Sequence, residues 1–213
     1  MSVYPRKLLV EGDADRRVIP YLMEENGVPW PPSSFPVFID ARGSVDEILR
    51  PGVIGGELVA SGLEALGVVV DADGDAVARW DQLRTCCSNE FQNLPDQIPA
   101  EGLEVVHADG PRFGVWIMPN NRFQGMLEDL LVQLIPDESS HLHELARNCV
   151  AEARSNDAPF RDAHERKSEI CTWLAWQDPP GLRLHEAVKH RVLDPKKPES
   201  RPFVKWFRGL FRL

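Results

Sequence analysis

The sequence has no long hydrophobic segment and no recognisable cysteine motif. Its longest apolar runs, such as Ala65 to Val70, are too short to span a bilayer, and no apolar stretch of signal-peptide length lies near residue 1. The four cysteines lack C-x-x-C spacing, so neither a zinc ribbon nor a disulfide framework is indicated. A P-loop, a G-x-G-x-x-G motif and a Ser/His/Asp arrangement are also missing. These absences favour a cytoplasmic protein with reduced thiols and no membrane association.

The composition is that of a globular protein, with 43% hydrophobic and 27% charged residues in a chain of 213. The formal net charge of -9 argues against a general nucleic-acid coat protein. The charge is unevenly distributed, because residues 189–213 carry eight Lys or Arg against two acidic residues. We therefore expect an anionic partner to favour the C-terminal end.

Strand and helix signals alternate through the first 135 residues. The apolar run Leu8 to Val10 precedes helical spacing from Asp13, and the three valines before Asp71 are typical of a strand buried on both faces of a parallel sheet. Beyond Pro136 the patterns are only helical. The sequence predicts an α/β domain over residues 1–135, with a mostly parallel sheet flanked by helices, and a helical C-terminal extension over residues 136–213 packed on it.

Acidic residues recur where the predicted strands end. Glu11 closes the first strand, and Asp15 follows on the side of the first helical turn that faces Glu11. Asp71 and Asp73 flank one small residue at the end of the buried strand. Such crowding of carboxylates is costly unless a hard cation compensates it, so we expect one or two Mg²⁺ or Mn²⁺ ions. The candidate metal ligands are Glu11, Asp15, Asp71, Asp73, Asp75 and Glu128.

Two of these motifs carry a family resemblance. The stretch Leu8 to Gly12, followed by Val68 to Asp73, resembles the Toprim domain, a Rossmannoid metal-binding fold shared by topoisomerases, primases and some nucleases. In that family a glutamate ends the first strand and a D-x-D pair ends a later one. Asp15 and Glu128 resemble further acids in the nucleases of the overcoming-lysogenization-defect (OLD) family. This sequence has Asp rather than Glu at position 15, which shortens its reach toward a second metal.

A second resemblance covers nearly the whole chain. The segments Gly114 to Asn120, Gly125 to Leu130 and Thr172 to Gln177, with Pro180 and Gly181, are similar to segments of an uncharacterised Toprim-like family. Members of that family look like companions of ATPases in bacterial and phage defence. The resemblance implies a Toprim-type metal site, nuclease activity on nucleic acid and an ATPase partner, which the C-terminal aromatic residues could contact.

The resemblance also implies a set of roles for a metal-dependent phosphodiesterase. Glu11, Asp71 and Asp73 would hold a first Mg²⁺, and Asp15, Asp75 or Glu128 would help to hold a second, so that the metals activate water and stabilise the leaving oxygen. Nucleases of the resembled family use a lysine after the acidic motifs to stabilise charge at the transferring phosphate, and Lys167 is the candidate here. Arg122 is the second candidate for contact with nucleic acid.

Other interpretations of the same residues stay open. Asp75 could simply cap the helix that follows it. The run from Asp71 to Gly74 also resembles the motif of haloacid-dehalogenase-type phosphatases, in which Asp71 would be a covalent nucleophile and Asp73 its acid/base partner. That family places the motif on its first strand, whereas other strand signals precede it here. A third interpretation is a non-catalytic Toprim-like module that serves for binding or regulation.

The last predicted helix is amphipathic. Its polar face carries Lys205, Arg208 and Arg212, and its apolar residues recur at helical spacing. The pattern predicts either a stripe packed on the domain with a solvated basic face, or a clamp for nucleic acid or a partner. The acidic body disfavours a membrane-surface helix. The apolar stripe comprises Phe203, Trp206, Phe207, Leu210 and Phe211.

Overall fold

A five-stranded sheet forms the centre of the computed structural model, which describes residues 4–108 and 110–213. Its spatial order is β2-β1-β3-β5-β4, in which β4 is antiparallel to β5 and every other neighbouring pair is parallel. This arrangement confirms the predicted α/β class with a mostly parallel sheet. The strands are β1 (Arg6–Val10), β2 (Phe38–Ala41), β3 (Ala65–Asp71), β4 (Leu103–Val106) and β5 (Arg112–Met118).

Helices cover both faces of the sheet. The first face packs on α2 (Val45–Leu49), α3 (Val53–Leu58) and α4 (Ala76–Cys86). The second face packs on a larger group of helices that includes the C-terminal ones. These are α1 (Asp13–Glu25), α5 (Leu127–Gln133), α6 (Ser140–Ser155), α7 (Glu165–Ala175), α8 (Leu184–Lys189) and α9 (Arg201–Phe211).

The central strand β3 explains the position of the acidic residues. Val68 and Val70 belong to the core on the first face, and Val69 belongs to the core on the second face. A strand covered on both sides needs apolar residues in both alternating directions, which is why consecutive valines predict it correctly. Polar residues begin where this burial ends, so Asp71 lies at the carboxyl edge of the sheet.

Helix α9 closes the second face of the sheet. Phe203, Phe207 and Phe211 are fully buried, and the Trp206 indole donates a hydrogen bond to the Leu103 carbonyl at 2.9 Å. The predicted packing of the apolar stripe on the domain is therefore confirmed. The alternative, in which this stripe contacts a partner such as an ATPase, is wrong because its side chains lie in the core.

Two glycines on neighbouring strands allow this close packing. A Cβ atom on Gly67 would lie 2.6 Å from a methyl of Leu8, and one on Gly114 would lie 2.7 Å from a methyl of Leu210. Any larger residue at these positions would push the helix away from the sheet. The same hydrophobic cluster joins Leu8 of β1 with residues of α9, so the extension shares a core with the sheet. The boundary near residue 135 stays a prediction.

Across residues 4–108 and 110–213, every helix is too short or too polar to cross a membrane.

Candidate acidic site at the carboxyl edge of the sheet

Four carboxylates converge at the carboxyl ends of β1 and β3. Glu11 directly follows β1, and Asp71 is the last residue of β3. Asp15 lies in the first turn of α1 and Glu128 in the first turn of α5, with only 7% and 3% of their surfaces exposed. Asp71 lies close enough to the other three for their charges to affect its ionisation. We call this group the acidic cluster.

Backbone hydrogen bonds hold the acidic cluster in place. The Asp71 amide donates to Glu11 Oε1 at 2.8 Å, which ties the end of β3 to the end of β1. The Leu127 amide, at the start of α5, donates to Asp71 Oδ1 at 3.0 Å. The Gly12 amide donates to Asp15 Oδ2 at 3.1 Å, so this carboxylate also caps the start of α1. Glu11 and Asp71 are thus each held by the main chain of a neighbouring element, and Asp15 by the residue that precedes its own helix.

Burial and mutual repulsion raise the pKa values of Glu11, Asp15 and Asp71. Burial, followed by the charges of Asp15, Glu11 and Glu128, raises the pKa of Asp71 to about 9. Burial, followed by the charges of Glu11 and Glu128, raises the pKa of Asp15 to about 7. Burial also raises the pKa of Glu11, although the Asp71 amide and the nearby Arg79 oppose this shift. At neutral pH the cluster therefore needs protons or a cation to balance its charge.

Lys167 reaches the acidic cluster from α7. Its ammonium lies 3.0 Å from Glu128 Oε1, and about half of its side chain remains exposed. Burial disfavours the charged ammonium, but the hydrogen bond and charge of Glu128 outweigh this and raise the pKa of Lys167. The structure thus brings the predicted lysine to the predicted acids. A cation that is held at the mouth of the cluster is suited to contact an anionic group that arrives from solvent.

Asp73 has a different environment from Asp71. Its carboxylate accepts a hydrogen bond from the Arg79 guanidinium at 2.6 Å, and 54% of its side chain is exposed. Arg79 also donates to the Asp71 carbonyl at 2.8 Å, so it closes the turn between the two aspartates. The turn places Asp73 at φ 51°, and Asp73 exchanges two backbone hydrogen bonds with Gly125. Asp73 therefore lies beside the cluster, near enough to raise the pKa of Glu11, and is paired with an arginine.

Asp75 caps α4. Its Oδ1 accepts hydrogen bonds from the amides of Val77 and Ala78 at 2.8 and 3.1 Å. The interpretation of Asp75 as a helix cap is confirmed, and its role as a metal ligand stays a prediction. The DADGD run thus contains one cluster carboxylate, one arginine-bound carboxylate and one helix cap.

Sequence reasoning missed two arginines. Arg79 lies one turn into the helix after the D-x-D pair, and that position is the only signal that could have drawn attention to it. Arg166 precedes Lys167 and donates to Asp129 Oδ1 at 2.8 Å and to Glu169 Oε2 at 2.5 Å. Asp129 also accepts the Met126 amide at 2.9 Å, so Arg166 joins α7 to the start of α5. This link positions Lys167 opposite Glu128.

The cleft beside the cluster, between the D-x-D turn and α7, is mainly acidic. It encloses a cavity of about 660 Å³ whose charged lining includes five acids and a single cation, Arg166. An anionic polymer that lay in this cleft would meet net negative charge. The acids that line it are Asp73, Asp129, Asp162, Glu165 and Glu169.

The other predicted nucleic-acid contacts lie away from the acidic cluster. Arg122 lines a separate cavity of about 360 Å³ with Trp80 and Asn121. Lys205, Arg208 and Arg212 are exposed on or just after α9. Arg212 lies near Arg6 and Arg112, which begin β1 and β5, and so it sits at the opposite edge of the sheet from Asp71. Contact of these residues with nucleic acid stays a prediction.

The donor atoms of the cluster are suited to a hard divalent cation, but the side chains are not arranged around a common ion position. All the donors are carboxylate oxygens, which Mg²⁺ and Mn²⁺ prefer, and their mutual repulsion would be relieved by such an ion. Within the part of the chain that the structure describes, however, no three His, Cys, Asp or Glu side chains are arranged to hold a metal. Binding would therefore require rotation of these side chains.

Comparison with known proteins places the chain in a family. No curated protein matches it significantly. One solved structure, the C-terminal region of the Xanthomonas campestris pv. campestris OLD protein, is 14% identical, with a TM-score of 0.44 over 100% of this chain and 98% of that one. A family described as "Protein of unknown function (DUF3226)" matches residues 5–212. Since that match covers almost the whole sequence, the chain belongs to the DUF3226 family.

Proposed function

We propose that this protein is a metal-dependent phosphodiester hydrolase of the Toprim type, acting as a nuclease. One observation carries the proposal: two buried and two partly buried carboxylates converge from two helix starts and two strand ends, and a lysine is ion-paired at their mouth. Carboxylates that raise one another's pKa at a strand edge are costly to the fold, and such arrangements are concentrated at functional sites. The D-x-D resemblance supports the Toprim type, and Mg²⁺ or Mn²⁺ is the proposed cofactor.

The residues of the site would have three different roles, which are metal binding, phosphate binding and positioning. Glu11 and Asp71 would hold the ion, and Asp15 and Glu128 would complete or extend the site. A divalent ion held there supplies positive charge that activates water and stabilises the leaving oxygen. Lys167 would bind a nonbridging phosphate oxygen, because its ammonium is partly exposed while its pairing with Glu128 keeps it charged. Arg79 would act as a positioning residue, since it fixes the turn that carries Asp71 and Asp73.

The test is cleavage of nucleic acid by the purified chain. Supercoiled DNA, linear DNA and RNA are incubated with Mg²⁺, Mn²⁺ or EDTA, beside the Asp71→Ala/Asp73→Ala double variant. We expect cleavage that requires metal and is lost in the double variant, whose fold should be retained because Asp71, which the other cluster carboxylates repel, is gone. Calorimetry with Mn²⁺ checks that metal affinity is lost with the activity.

A purely binding or regulatory role would give a different pattern. Neither cleavage nor metal binding would then be seen, and the double variant would keep its biological effect and its partners. A lower melting temperature of Asp71→Asn than of Asp73→Asn at high pH in EDTA would also contradict a crowded, metal-free cluster. An ATPase partner is proposed from the family resemblance alone, and co-purification with, or stimulation by, such a protein would test it.

A further inference from the structure

Two adjoining cavities run along the outer side of α1, beyond the acidic cluster. Their volumes are about 180 and 320 Å³, and they share Arg16, Pro20 and Trp30 in their walls. The first cavity continues to Phe35 and to Phe38 at the start of the edge strand β2. The second continues to Tyr21 of α1 and His185 of α8. Because they share these residues, the two cavities form one continuous groove, which we call the α1 groove.

Aromatic side chains line the α1 groove along its length. Trp30 lies in both cavities and packs against buried Phe207, with ring centroids 6.1 Å apart. Phe35 is 37% exposed at one end. At the other end Tyr21 stacks with His185 at 5.9 Å, and the Lys189 ammonium lies 5.4 Å from the Tyr21 ring. A planar ring that is anchored from behind by the core can receive a base without further ordering.

The charges of the α1 groove differ from those of the cleft on the α7 side. Arg16 and Arg17 line the groove together with one acid, Glu24; about half of each arginine side chain is exposed, and they are the first cations on α1 after Asp15. Their ion pairs with Asp13 are solvent-exposed, so a phosphate can compete for them at small cost. The α7-side cleft instead presents five acids and a single arginine. An anionic strand that approaches the acidic cluster would therefore be favoured on the α1 side.

We propose that the α1 groove binds a single-stranded nucleic acid and leads it to the acidic cluster. Trp30 is the stacking platform for a base, and Arg16 and Arg17 contact the phosphates that follow it. This combination of a cationic track with interleaved aromatic rings suits single strands, whose bases are free to stack. The inference deepens the proposed nuclease function and rests on it, because it names the substrate class that the acidic cluster would cleave.

The first test measures binding without cleavage. Fluorescence anisotropy of labelled oligothymidylate and oligouridylate is recorded in EDTA over a range of salt concentrations, with a DNA duplex for comparison. Arg16→Gln/Arg17→Gln should weaken binding and flatten the slope of log affinity against log salt by about 1.4, since each contact with a single strand contributes about 0.7. Trp30→Leu should weaken binding by about 5- to 150-fold, and Trp30→Phe by less, because a ring remains.

The matched control removes two arginines of the same kind elsewhere. Arg50→Gln/Arg147→Gln deletes two exposed arginines, one just after α2 and one on α6, that also pair with an acid three residues earlier, and it should bind as the unaltered protein does. The proposal would be overturned if this control lost as much affinity, or if the protein did not bind single strands. Tighter binding of the duplex would also overturn it, as would binding of a proline-rich peptide in place of the oligonucleotides. Thermal melting of each variant shows that the fold is intact, and Trp30→Phe serves if Trp30→Leu does not fold.

A parallel cleavage assay in Mn²⁺ separates the two proposals. If groove variants lose affinity in EDTA and no variant or condition gives cleavage, the groove is a binding site and the nuclease function fails. If the chain cleaves and the groove variants cleave single strands as fast as the unaltered protein, the nuclease function stands and the groove fails.

Discussion

Asp71 and Asp73 are two residues apart and chemically identical, yet they lie in opposite surroundings. Asp71 is partly buried among three other carboxylates, and burial together with their charges raises its pKa to about 9. Its Oδ1 accepts a hydrogen bond from the Leu127 amide at the start of α5. Asp73 is more than half exposed and paired with Arg79. The difference arises because β3 ends at Asp71, after which the chain turns outward. A D-x-D motif therefore identifies the edge of the sheet, while burial decides which carboxylate belongs to the cluster.

The largest expected effect comes from Asp71. Asp71→Asn keeps the shape of the side chain but removes the charge at the centre of the cluster, so we expect metal-dependent cleavage to fall to background. Asp73→Asn is the matched substitution and should retain measurable cleavage, because Asp73 is held by Arg79. The rates are compared at saturating Mn²⁺. Equal loss in the two variants would mean that Asp73 leaves Arg79 and binds the metal directly.

The substitution of Lys167 should have the next largest effect. Lys167→Ala should lower the cleavage rate by about 10²- to 10³-fold, the usual cost of one group that stabilises transition-state charge. Metal affinity should change little, because Lys167 is not among the proposed ligands. The exposed Lys196→Ala is the control, and calorimetry with Mn²⁺ runs beside the kinetics. If metal affinity were lost together with activity, Lys167 would maintain the structure of the metal site and would not act on the phosphate.

Arg79 contacts both aspartates, through the Asp71 carbonyl and the Asp73 carboxylate. Arg79→Gln should slow cleavage by about 10- to 100-fold, as is typical when a residue that orients metal ligands is removed. The variant should need a higher metal concentration to reach half of its maximal rate, and Arg79→Lys should restore part of the loss. Unchanged kinetics in Arg79→Gln would show that the turn holds its shape without this arginine.

The metal-free protein should lose stability as the pH rises. The folded-state pKa values of Asp15 and Asp71, about 7 and about 9, lie above the ordinary value of 3.8, so the folded state binds more protons in the intervening range. Their contribution to stability is present at low pH and is lost as the pH passes through about 7 and about 9. Thermal melting in EDTA should therefore give a lower Tm at pH 9 than at pH 6.

Variants and metal sharpen this pH test. Asp71→Asn should flatten the dependence of Tm on pH, whereas Asp73→Asn should leave it as it is. Mg²⁺ that binds the folded state should raise the Tm most at high pH, where the carboxylates are ionised. A Tm that rises with pH in EDTA would contradict the crowded cluster.

The smallest effect is expected at Asp75. Asp75→Ala removes the cap of α4, which costs about 1 kcal/mol, or about 2–4 °C in Tm for a chain of this size. Asp75→Ser should restore most of the loss, because serine also caps helices well. Cleavage per folded molecule should be unchanged in both variants. A strong loss of activity at unchanged Tm would indicate that Asp75 is a metal ligand, as predicted from the sequence.

Much of the fold was accessible from sequence because burial leaves a pattern. The consecutive valines of β3, the alternation of strands and helices and the apolar spacing of α9 each report which faces are covered. The convergence of Glu11, Asp15, Asp71 and Glu128 also followed from the rule that parallel strands share a carboxyl edge. Lys167 was found through family resemblance, since no local pattern separates it from a surface lysine.

The finer structure of the site was not accessible from sequence. The left-handed backbone at Asp73, the reach of Arg79 back to the Asp71 carbonyl and the link from Arg166 to Asp129 depend on side chains that meet only after folding. The α1 groove was missed for the same reason. Its residues come from α1, from the loop before β2, from β2 itself and from α8, and no single segment carries the pattern.

The packing of α9 on Gly67 and Gly114 bears on how the protein matures during synthesis. The five strands of the sheet precede residue 119, whereas α9, the helix that covers β3 and β5 on the second face, spans Arg201–Phe211. A ribosome therefore releases the sheet long before its cover exists. During that interval the part of the second face that α9 covers is open to chaperones and to other nascent chains, as is typical when sequence-distant segments share one core. Nascent chains arrested before α9 should remain protease-sensitive and bound to chaperones, and extension through α9 should release them.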